Sequence, residues 1–226
     1  MTKSETAQVF SHIVHSRHST RAFLDQEVPQ TLLDEVFLLA QQAPSNCNTQ
    51  PWLIHVVSGD KRDALAESMS AALMAGSSSM DFPAFDAYEG LYKERQHGAA
   101  RVLYDAAGVE RSDKEGRLVQ FMKNFDFFGA PHAAFVFMHE SFGLREACDV
   151  GMYAQTLMLS MTAYGLASCP QTALSFDADG VRETLGIDAA QKLIFGISFG
   201  YPKEGADVNN AITNRCPLEE AVTFYR

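Results

Sequence analysis

Apolar residues recur along this chain in two patterns, and each pattern predicts a different secondary structure. Short continuous runs of apolar and aromatic residues predict buried strands at 52–58 (WLIHVVS), 132–138 (HAAFVFM) and 192–202 (KLIFGISFGYP). The stretch 166–174 (LASCPQTAL) is typical of a strand that leads into a loop, and 221–226 (AVTFYR) of a last short strand. The chain therefore contains several short strands that longer segments separate.

Apolar residues at intervals of three and four predict helices in the segments between these strands. Thr31 is placed to cap the helix within 28–44, and Pro44 ends it. The helix at 145–165 is apolar on nearly every side, which predicts deep burial, and Gly165 ends it. Further helices are predicted at 5–16, 61–75, 88–108, 112–131 and 177–187.

The alternation of strands with longer helices predicts one α/β or α+β domain over residues 1–226, because no linker-like stretch divides the chain. With 46% hydrophobic and 20% charged residues, the chain can bury a sizeable core. It shows neither internal repeats nor low-complexity segments. Sequence patterning alone leaves the choice between the two fold classes open.

Charge and composition exclude several classes of partner. A formal net charge of −10 argues against nucleic acid, which selects basic surfaces. No stretch approaches the roughly 20 apolar residues of a membrane helix, and the first residues lack the apolar run of a signal peptide. The four cysteines have no metal-ligand spacing, so we expect reduced thiols, a cytoplasmic location and no metal site.

A basic cluster in this acidic chain is the first candidate site. The stretch 16–25 (SRHSTRAFLD) holds three basic residues and three hydroxyls in six positions: Arg17, His18 and Arg21 with Ser16, Ser19 and Thr20. One interpretation is a solvated basic patch that precedes a helix. The other is an anion site, because arginine forks match phosphate oxygens in pairs and hydroxyls add short donors.

Three other loops carry polar groups suited to a ligand, although the usual nucleotide motifs are missing. Neither GxGxxG after a strand nor GxxxxGK[ST] occurs, so side chains rather than a glycine-rich loop would hold a phosphate. The loop 43–52 (APSNCNTQPW) offers neutral donors and acceptors, as does 168–174 (SCPQTAL). The stretch 209–220 (NNAITNRCPLEE) adds a further arginine, Arg215.

Together, these four stretches resemble the signature of the nitroreductase family of FMN-dependent oxidoreductases. The similarity rests on RHSTRAF at 17–23, on APSN-x-N-x-QPW at 43–52 and on PQT at 170–172. It also rests on N-x-x-x-T-x-R-x-PL-x-E at 209–220. The order and spacing match from about residue 10 onward, whereas 75–125 is the variable, lid-like helical part. The resemblance implies an α+β, three-layer fold with a mixed, mainly antiparallel sheet, in an intertwined homodimer.

The resemblance also implies a role for each motif residue. Arg17 and Arg215 would clamp the FMN phosphate, with His18 and Ser19 donating to phosphate or ribityl oxygens. Arg21 would lie near flavin N1 and O2, where a fixed cation stabilises the reduced ring. The partner subunit would supply ring contacts from its 43–52 loop, and the end of a strand would line the ring near N5 with a backbone N–H. These contacts are assigned to Pro44, Ser45, Asn46 and Asn48, and to Pro170, Gln171 and Thr172.

The implied activity is reduction of nitroaromatics or quinones by NADH or NADPH, in two half-reactions that share one pocket. No residue beyond the flavin is expected to be catalytic. Relatives with the same flavin site perform dehalogenation, ene reduction or flavin reduction, and a non-catalytic FMN-binding protein is the rival from another class. The C-terminal strand would exchange onto the partner subunit's sheet.

Substrate contacts are expected in the variable region. Phe121 and Phe125 are core by default, yet the resemblance would let either stack on a small aromatic substrate. Three tyrosines could line the mouth of the pocket, and three basic residues could bind a carboxylated nitroaromatic, although a solvated helix face explains these charges more simply. They are Tyr88, Tyr92 and Tyr104, and Lys93, Arg95 and Arg101.

Overall fold

The computed structural model describes residues 4–83 and 87–226 and shows a four-stranded sheet between two layers of helices. Residues 84–86 of the predicted variable region, and 1–3 of the predicted domain, lie outside the described residues. The helices are α1 (Glu5–Ser16), α2 (Gln30–Ala40), α3 (Gly59–Met74), α4 (Gly90–Ala106), α5 (Lys114–Met122), α6 (Leu144–Ala163), α7 (Ala178–Leu185) and α8 (Leu218–Ala221). The strands are β1 (Trp52–Ser58), β2 (His132–His139), β3 (Ala167–Gln171) and β4 (Gln191–Gly200).

The sheet has the order β1-β2-β4-β3, and each neighbouring pair is antiparallel. A separate parallel bridge joins Ser19 to Ser168 of β3 and makes the pairing mixed. This arrangement confirms the α+β class and the mainly antiparallel sheet. β2 is central and almost wholly buried because its apolar run has no polar face.

Two hydrophobic clusters, one on each face of the sheet, give the three layers. Along β2, Val136 and its alternate neighbours face the cluster built with α2 and α6, where Trp52 stacks on Tyr153 at 4.9 Å. Phe135 and Phe137 face the opposite cluster, built with α3 and α7. This period of two follows from the pleat of a strand, and both faces of the sheet are therefore covered.

Local chemistry shifts two predicted helix boundaries. The second helix begins at Gln30 after Pro29, and Thr31 lies within it without capping it, so the capping role predicted for Thr31 is wrong. Proline fixes the backbone at the helix entrance in its place. The predicted 112–131 helix ends at Met122, and in the turn that follows Phe127 and Phe128 adopt positive φ, which a helix cannot contain.

Two elements bury less surface than the pattern predicts. Helix α6 buries one face, while Met152 and Tyr164 remain exposed, so burial on every side is wrong for the single chain. Gly165 follows it with a φ of +76°, as the sequence indicates. Residues 222–226 lie exposed and form no strand within the described chain; α8 precedes them. None of the helices in residues 4–83 and 87–226 is long and apolar enough to cross a membrane.

Candidate functional site

The basic segment runs along strand β3 immediately after the first helix ends. Arg17 closes α1, where its N–H donates to the carbonyl of Ile13 at 3.1 Å. Two residues later Ser19 forms the parallel bridge with Ser168, and the N–H of the buried Thr20 donates to the carbonyl of Ser168 at 3.1 Å. The segment is thus fixed against a rigid strand, and its charged side chains lie at the same edge as the exit of β3.

A cleft of about 600 Å³ opens beside this segment. Its walls come from α4 and α6, which contribute Ala99, Leu103 and Gln155. The cleft brings together five of the predicted site residues from opposite ends of the sequence: Arg17, His18, Ser19, Arg21 and Arg215. It has the concave form and size that small-molecule and cofactor sites usually take.

The electrostatics of the cleft favour an anion. Burial lowers the pKa of Arg17, and the neighbouring Arg215 lowers it further by repulsion between like charges. Neither of these guanidinium groups, nor that of Arg21, forms an ion pair with a carboxylate in the part of the chain that the structure describes. Three converging cations without a counter-ion are suited to bind a phosphate.

Hydrogen bonds to neighbouring backbone groups hold the arginines in position. The Arg21 side chain donates through Nη1 to the carbonyl of Ser19 at 3.2 Å. Nη1 of Arg215 donates to the carbonyl and hydroxyl oxygens of Thr213 at 3.0 and 3.1 Å. The side-chain oxygen of Asn209 accepts the N–H groups of Arg21 and Ala22 at 2.8 and 3.0 Å. Each guanidinium keeps further N–H donors for a ligand.

The exit of β3 places two of the three predicted ring contacts on the surface and one in the core. Pro170 is half-buried, and the exposed Thr172 begins a 3₁₀ turn. The Gln171 side chain is buried: its Nε2 donates to the carbonyl of Asn124 at 3.0 Å, and its oxygen accepts the hydroxyl of Ser198. Any flavin contact of Gln171 therefore has to come from its backbone.

Cys169 is a packing residue of this strand. Burial raises the pKa of its thiol to about 11, although the nearby Arg21, Ser19 and Arg17 act in the opposite direction. A neutral thiol is a poor nucleophile. This agrees with the expectation that Cys169 fills space beside the site.

The 43–52 loop lies apart from the arginine cleft, since none of its residues lines that cleft. Residues Cys47, Asn48 and Gln50 have positive φ, an uncommon conformation for residues other than glycine. The buried carboxylate of Asp149 accepts the N–H of Asn46 at 2.9 Å, and the hydroxyl of Ser45 accepts the N–H of Gln50 at 3.0 Å. The loop is thus held in a strained shape, which is frequent at functional sites. Pro44, Asn46 and Asn48 are exposed there and Ser45 is half-buried.

The two candidate substrate phenylalanines differ in exposure. Phe125 is only 1% exposed and packs against Phe121 and Phe176, so it has no surface to offer a substrate in this conformation. Phe121 is 37% exposed, so its ring is accessible to a substrate. The shift arises because α5 ends before Phe125, and the chain then turns into the core.

The other side chains singled out in the variable region do not gather at the arginine cleft. Arg95 forms an ion pair with Glu220 of α8 at 2.8 Å and lies over the ring of Tyr92. Lys93 and Tyr88 are exposed, and neither lines the cleft. Arg101 and Tyr104 line a different cavity, on another face of α4.

Sequence reasoning missed two residues that position the site. Asn209 belongs to a quoted motif, but its contact with the Arg21 backbone depends on the tertiary fold. Asp149 is an acidic residue on the buried face of α6, and a buried carboxylate there signals a specific hydrogen-bond partner. Its partner is the N–H of Asn46 in the 43–52 loop.

Comparison with known proteins gives consistent matches. A sequence model of the nitroreductase family matches residues 14–201. Nitroreductase NfnB of Mycolicibacterium smegmatis is 43% identical over 98% of this chain and 95% of its own length. A 4-nitrobenzoate reductase of Pseudomonas putida is 34% identical over 95% of this chain and 93% of its own. The crystal structure of the FMN-dependent NfnB from Mycobacterium smegmatis with NADPH superposes with a TM-score of 0.95, covering 98% of this chain and all of that one (100%).

Proposed function

Because the chain belongs to the nitroreductase family, we propose that it is an FMN-dependent oxidoreductase that uses NADPH or NADH to reduce nitroaromatic compounds. The observation that carries this proposal is the cleft in which Arg17, Arg21 and Arg215 converge without a carboxylate partner among the described residues. The relatives named as nitroreductase and 4-nitrobenzoate reductase support the nitro group as the acceptor.

The residues of the cleft fit FMN. Arg17 and Arg215 repel each other, and a phosphate dianion between them would remove that repulsion. Ser19 and His18 line the same wall and offer further donors to phosphate or ribityl oxygens. Ser19 of the cleft is bridged to Ser168 of β3, and we place the flavin ring toward the end of this strand, beside Pro170 and Thr172.

When bound, FMN supplies hydride acceptance from the nicotinamide and two-electron delivery to the nitro group. The chain contributes binding, orientation and charge. Arg21, fixed by Asn209 and by the carbonyl of Ser19, would hold a cation beside the pyrimidine edge where negative charge develops. Phe121 is the aromatic side chain proposed to contact the substrate.

A homodimer is part of this proposal. Helix α1 buries none of its residues within the single chain, and its Phe10 is 60% exposed. Such a helix needs a partner surface, because a short helix alone is marginal in water. A second subunit would also bring the 43–52 loop to the cleft and accept residues 222–226. We further propose a cytoplasmic location, which the four free thiols support.

The test is an anaerobic titration of the FMN-loaded protein, first with NADPH and NADH, then with 4-nitrobenzoate. Bleaching of the flavin absorbance near 450 nm (about the usual flavin maximum) by a nicotinamide, and its return with the acceptor, is the expected result. Flavin that no nicotinamide reduces would contradict the proposed activity.

The site assignment has its own test. Arg17→Ala removes a charge-assisted contact worth about 1.5–3 kcal/mol, so FMN binding should weaken tenfold or more. Arg145→Ala is the matched control, since Arg145 is exposed at the start of α6 and outside the cleft. Equal FMN affinity in both variants would overturn the assignment.

A further inference from the structure

A second cavity lies between α4 and α5, separate from the arginine cleft. It holds about 250 Å³ and receives His97, Arg101 and Tyr104 from α4. These residues follow each other at intervals of four and three, so they share one face of the helix. The cleft receives Ala99 and Leu103, which lie on the opposite face of α4. The helix thus separates two cavities.

Cationic groups dominate the second cavity. Three arginines line it together: Arg101 of α4, Arg111 of the connecting segment and Arg117 of α5. None of these three guanidinium groups forms an ion pair or hydrogen bond within residues 4–83 and 87–226. One carboxylate, that of Asp105, also lines the cavity but pairs with none of them. In a chain of net charge −10, three arginines that share a concave surface are unusual.

A further carboxylate, that of Asp113 in the segment between Arg111 and Arg117, is engaged elsewhere. Asp113 caps α5, where its oxygen accepts the N–H of Gly116 at 2.8 Å. The turn that leads to Arg111 is fixed as well, because the N–H of Val109 donates to the carbonyl of Tyr104 at 2.9 Å. The arginines are therefore carried on ordered backbone, and their charges remain available to a ligand.

Besides these charged groups and His97, the lining has an apolar part. Ala100 and Val109 are half-buried, and the ring of Tyr104 is half-buried beside them. The cavity volume of about 250 Å³ is just below the roughly 300–1,000 Å³ usual for ligand pockets, so it suits a small ligand of one aromatic ring system with an anionic substituent. Arginine recognises carboxylate and phosphate through paired hydrogen bonds, and its planar group also stacks on aromatic rings.

We propose that this second cavity, at Arg101, Arg111 and Arg117, binds an oxyanion carried on a small aromatic body. The shared chemistry is a carboxylate or a phosphate monoester beside a ring. Two sources present it: an aryl carboxylate, or the adenosine 2′-phosphate end of a phosphorylated nicotinamide dinucleotide. The site is a binding site and takes no part in electron transfer.

The test is calorimetric titration of the FMN-loaded protein with benzoate and with adenosine 2′-phosphate, and with benzamide and adenosine as uncharged counterparts. Bound FMN keeps the phosphate subsite of the cleft filled, and the flavin spectrum reports any probe that enters the ring pocket. We expect one charged probe to bind without changing that spectrum. Arg101→Gln and Arg117→Gln should each weaken its Kd tenfold or more, while Arg145→Gln should leave it unchanged.

The two arms identify the source, and either result supports the site: benzoate alone indicates a carboxylate, and adenosine 2′-phosphate alone indicates a phosphate. The proposal is overturned if neither charged probe binds, or if Arg101→Gln and Arg117→Gln bind as the unaltered protein does. Equal binding of the uncharged counterparts would overturn it too. The measurement requires no turnover, so its outcome is independent of whether the protein reduces nitro compounds.

Discussion

The side-chain oxygen of Asn209 accepts the backbone N–H of Arg21 at 2.8 Å and that of Ala22 at 3.0 Å. The amide nitrogen of the same residue donates to the carbonyls of Ala22 and Lys203 at 2.9 and 3.2 Å. One carboxamide therefore satisfies four backbone groups and ties the basic segment to the segment that leads to Arg215. Asn209 positions the cleft without contributing a charge to it.

Replacing Asn209 should loosen the cleft. In Asn209→Ala two partly buried N–H groups lose their acceptor, at a cost of about 1–3 kcal/mol. We expect FMN affinity to fall about tenfold, because the backbone that carries Arg21 is no longer fixed. Fluorescence titration of the apoprotein with FMN measures this. The matched control is the exposed neighbour Asn210→Ala, and an Asn209→Ala variant that binds FMN as tightly as this control would contradict the role.

Gly196 of β4 has no room for a side chain. A Cβ there would lie 2.5 Å from Cδ1 and 2.8 Å from Cβ of the buried Leu174, in the 3₁₀ turn that Thr172 begins. Because the Leu174 Cβ cannot move without its backbone, Gly196→Ala should destabilise the protein by about 1–3 kcal/mol and shift the turn.

Thermal unfolding measures the effect of Gly196→Ala. Gly98→Ala serves as control, since open space surrounds that glycine in α4 and alanine favours a helix by about 1 kcal/mol. A melting temperature for Gly196→Ala at or above that of the unaltered protein would contradict this prediction. It would mean that Leu174 moves away from the new Cβ without loss of stability.

His132 makes the stability of the fold depend on pH. Its ring is buried, Nε2 accepts the N–H of Val28 at 2.9 Å, and Nδ1 lies 2.6 Å from the hydroxyl of Ser58. Burial lowers the pKa of this histidine, which outweighs the opposite effect of Glu27. The unfolded chain therefore takes up a proton near its ordinary pKa of 6.5, before the folded chain does.

The contribution of His132 to stability is thus complete above pH 6.5 and declines as the pH falls below that value. Urea midpoints between pH 7.5 and 5.5 (values on either side of about 6.5) should decrease for the unaltered protein. They should decrease less for His132→Gln, whose side chain can still accept the N–H of Val28 but does not titrate. Identical pH dependence in both proteins would exclude His132 as the cause.

The ion pair between Asp81 and Arg182 fixes the segment before residue 84 onto α7. The carboxylate of Asp81 lies 2.5 Å from Nη1 of Arg182 and also accepts the N–H of Leu193 at 2.7 Å. Both side chains are nearly buried, but Arg182 also pairs with the exposed carboxylate of Asp179 at 2.5 Å, so Asp81→Asn leaves Arg182 with this solvent-screened partner alone and should cost about 1–3 kcal/mol. Chemical denaturation measures this loss.

The ion pair between the half-buried Arg62 and the exposed Asp63 is the comparison for that measurement. Asp63→Asn should cost at most about 1 kcal/mol, since solvent screens a surface ion pair. Equal losses in Asp81→Asn and Asp63→Asn would mean that burial of the Asp81 carboxylate adds nothing.

The sequence was sufficient for the four strands of the sheet and for most helices, because a continuous apolar run such as 132–138 has few alternatives to a central strand. Prediction failed where neighbouring residues compete locally. Helix α2 begins after Pro29 and is not capped by Thr31, and α5 ends at Met122, after which the chain turns and Phe125 enters the core. These outcomes depend on tertiary packing that periodicity does not contain.

The residues of the site could be predicted from the sequence, but their arrangement in space could not. Arg17 and Arg215 were paired only through the family resemblance, since nothing in their spacing brings them together. The roles of Asn209 and of the second cavity depend on which face of α4 turns toward which segment. Residue patterns do not determine that choice, because α4 is amphipathic without burying any residue.

The contact of Asn209 with Arg21 joins residues 188 positions apart, and such a contact forms only after most of the intervening chain has found its place. We therefore expect the cleft to be assembled late on the folding route and to be absent from the transition state. A cofactor held there stabilises the finished protein alone, so it should slow the unfolding rate and leave the folding rate almost unchanged. Bound flavin would then increase the kinetic stability of the native state.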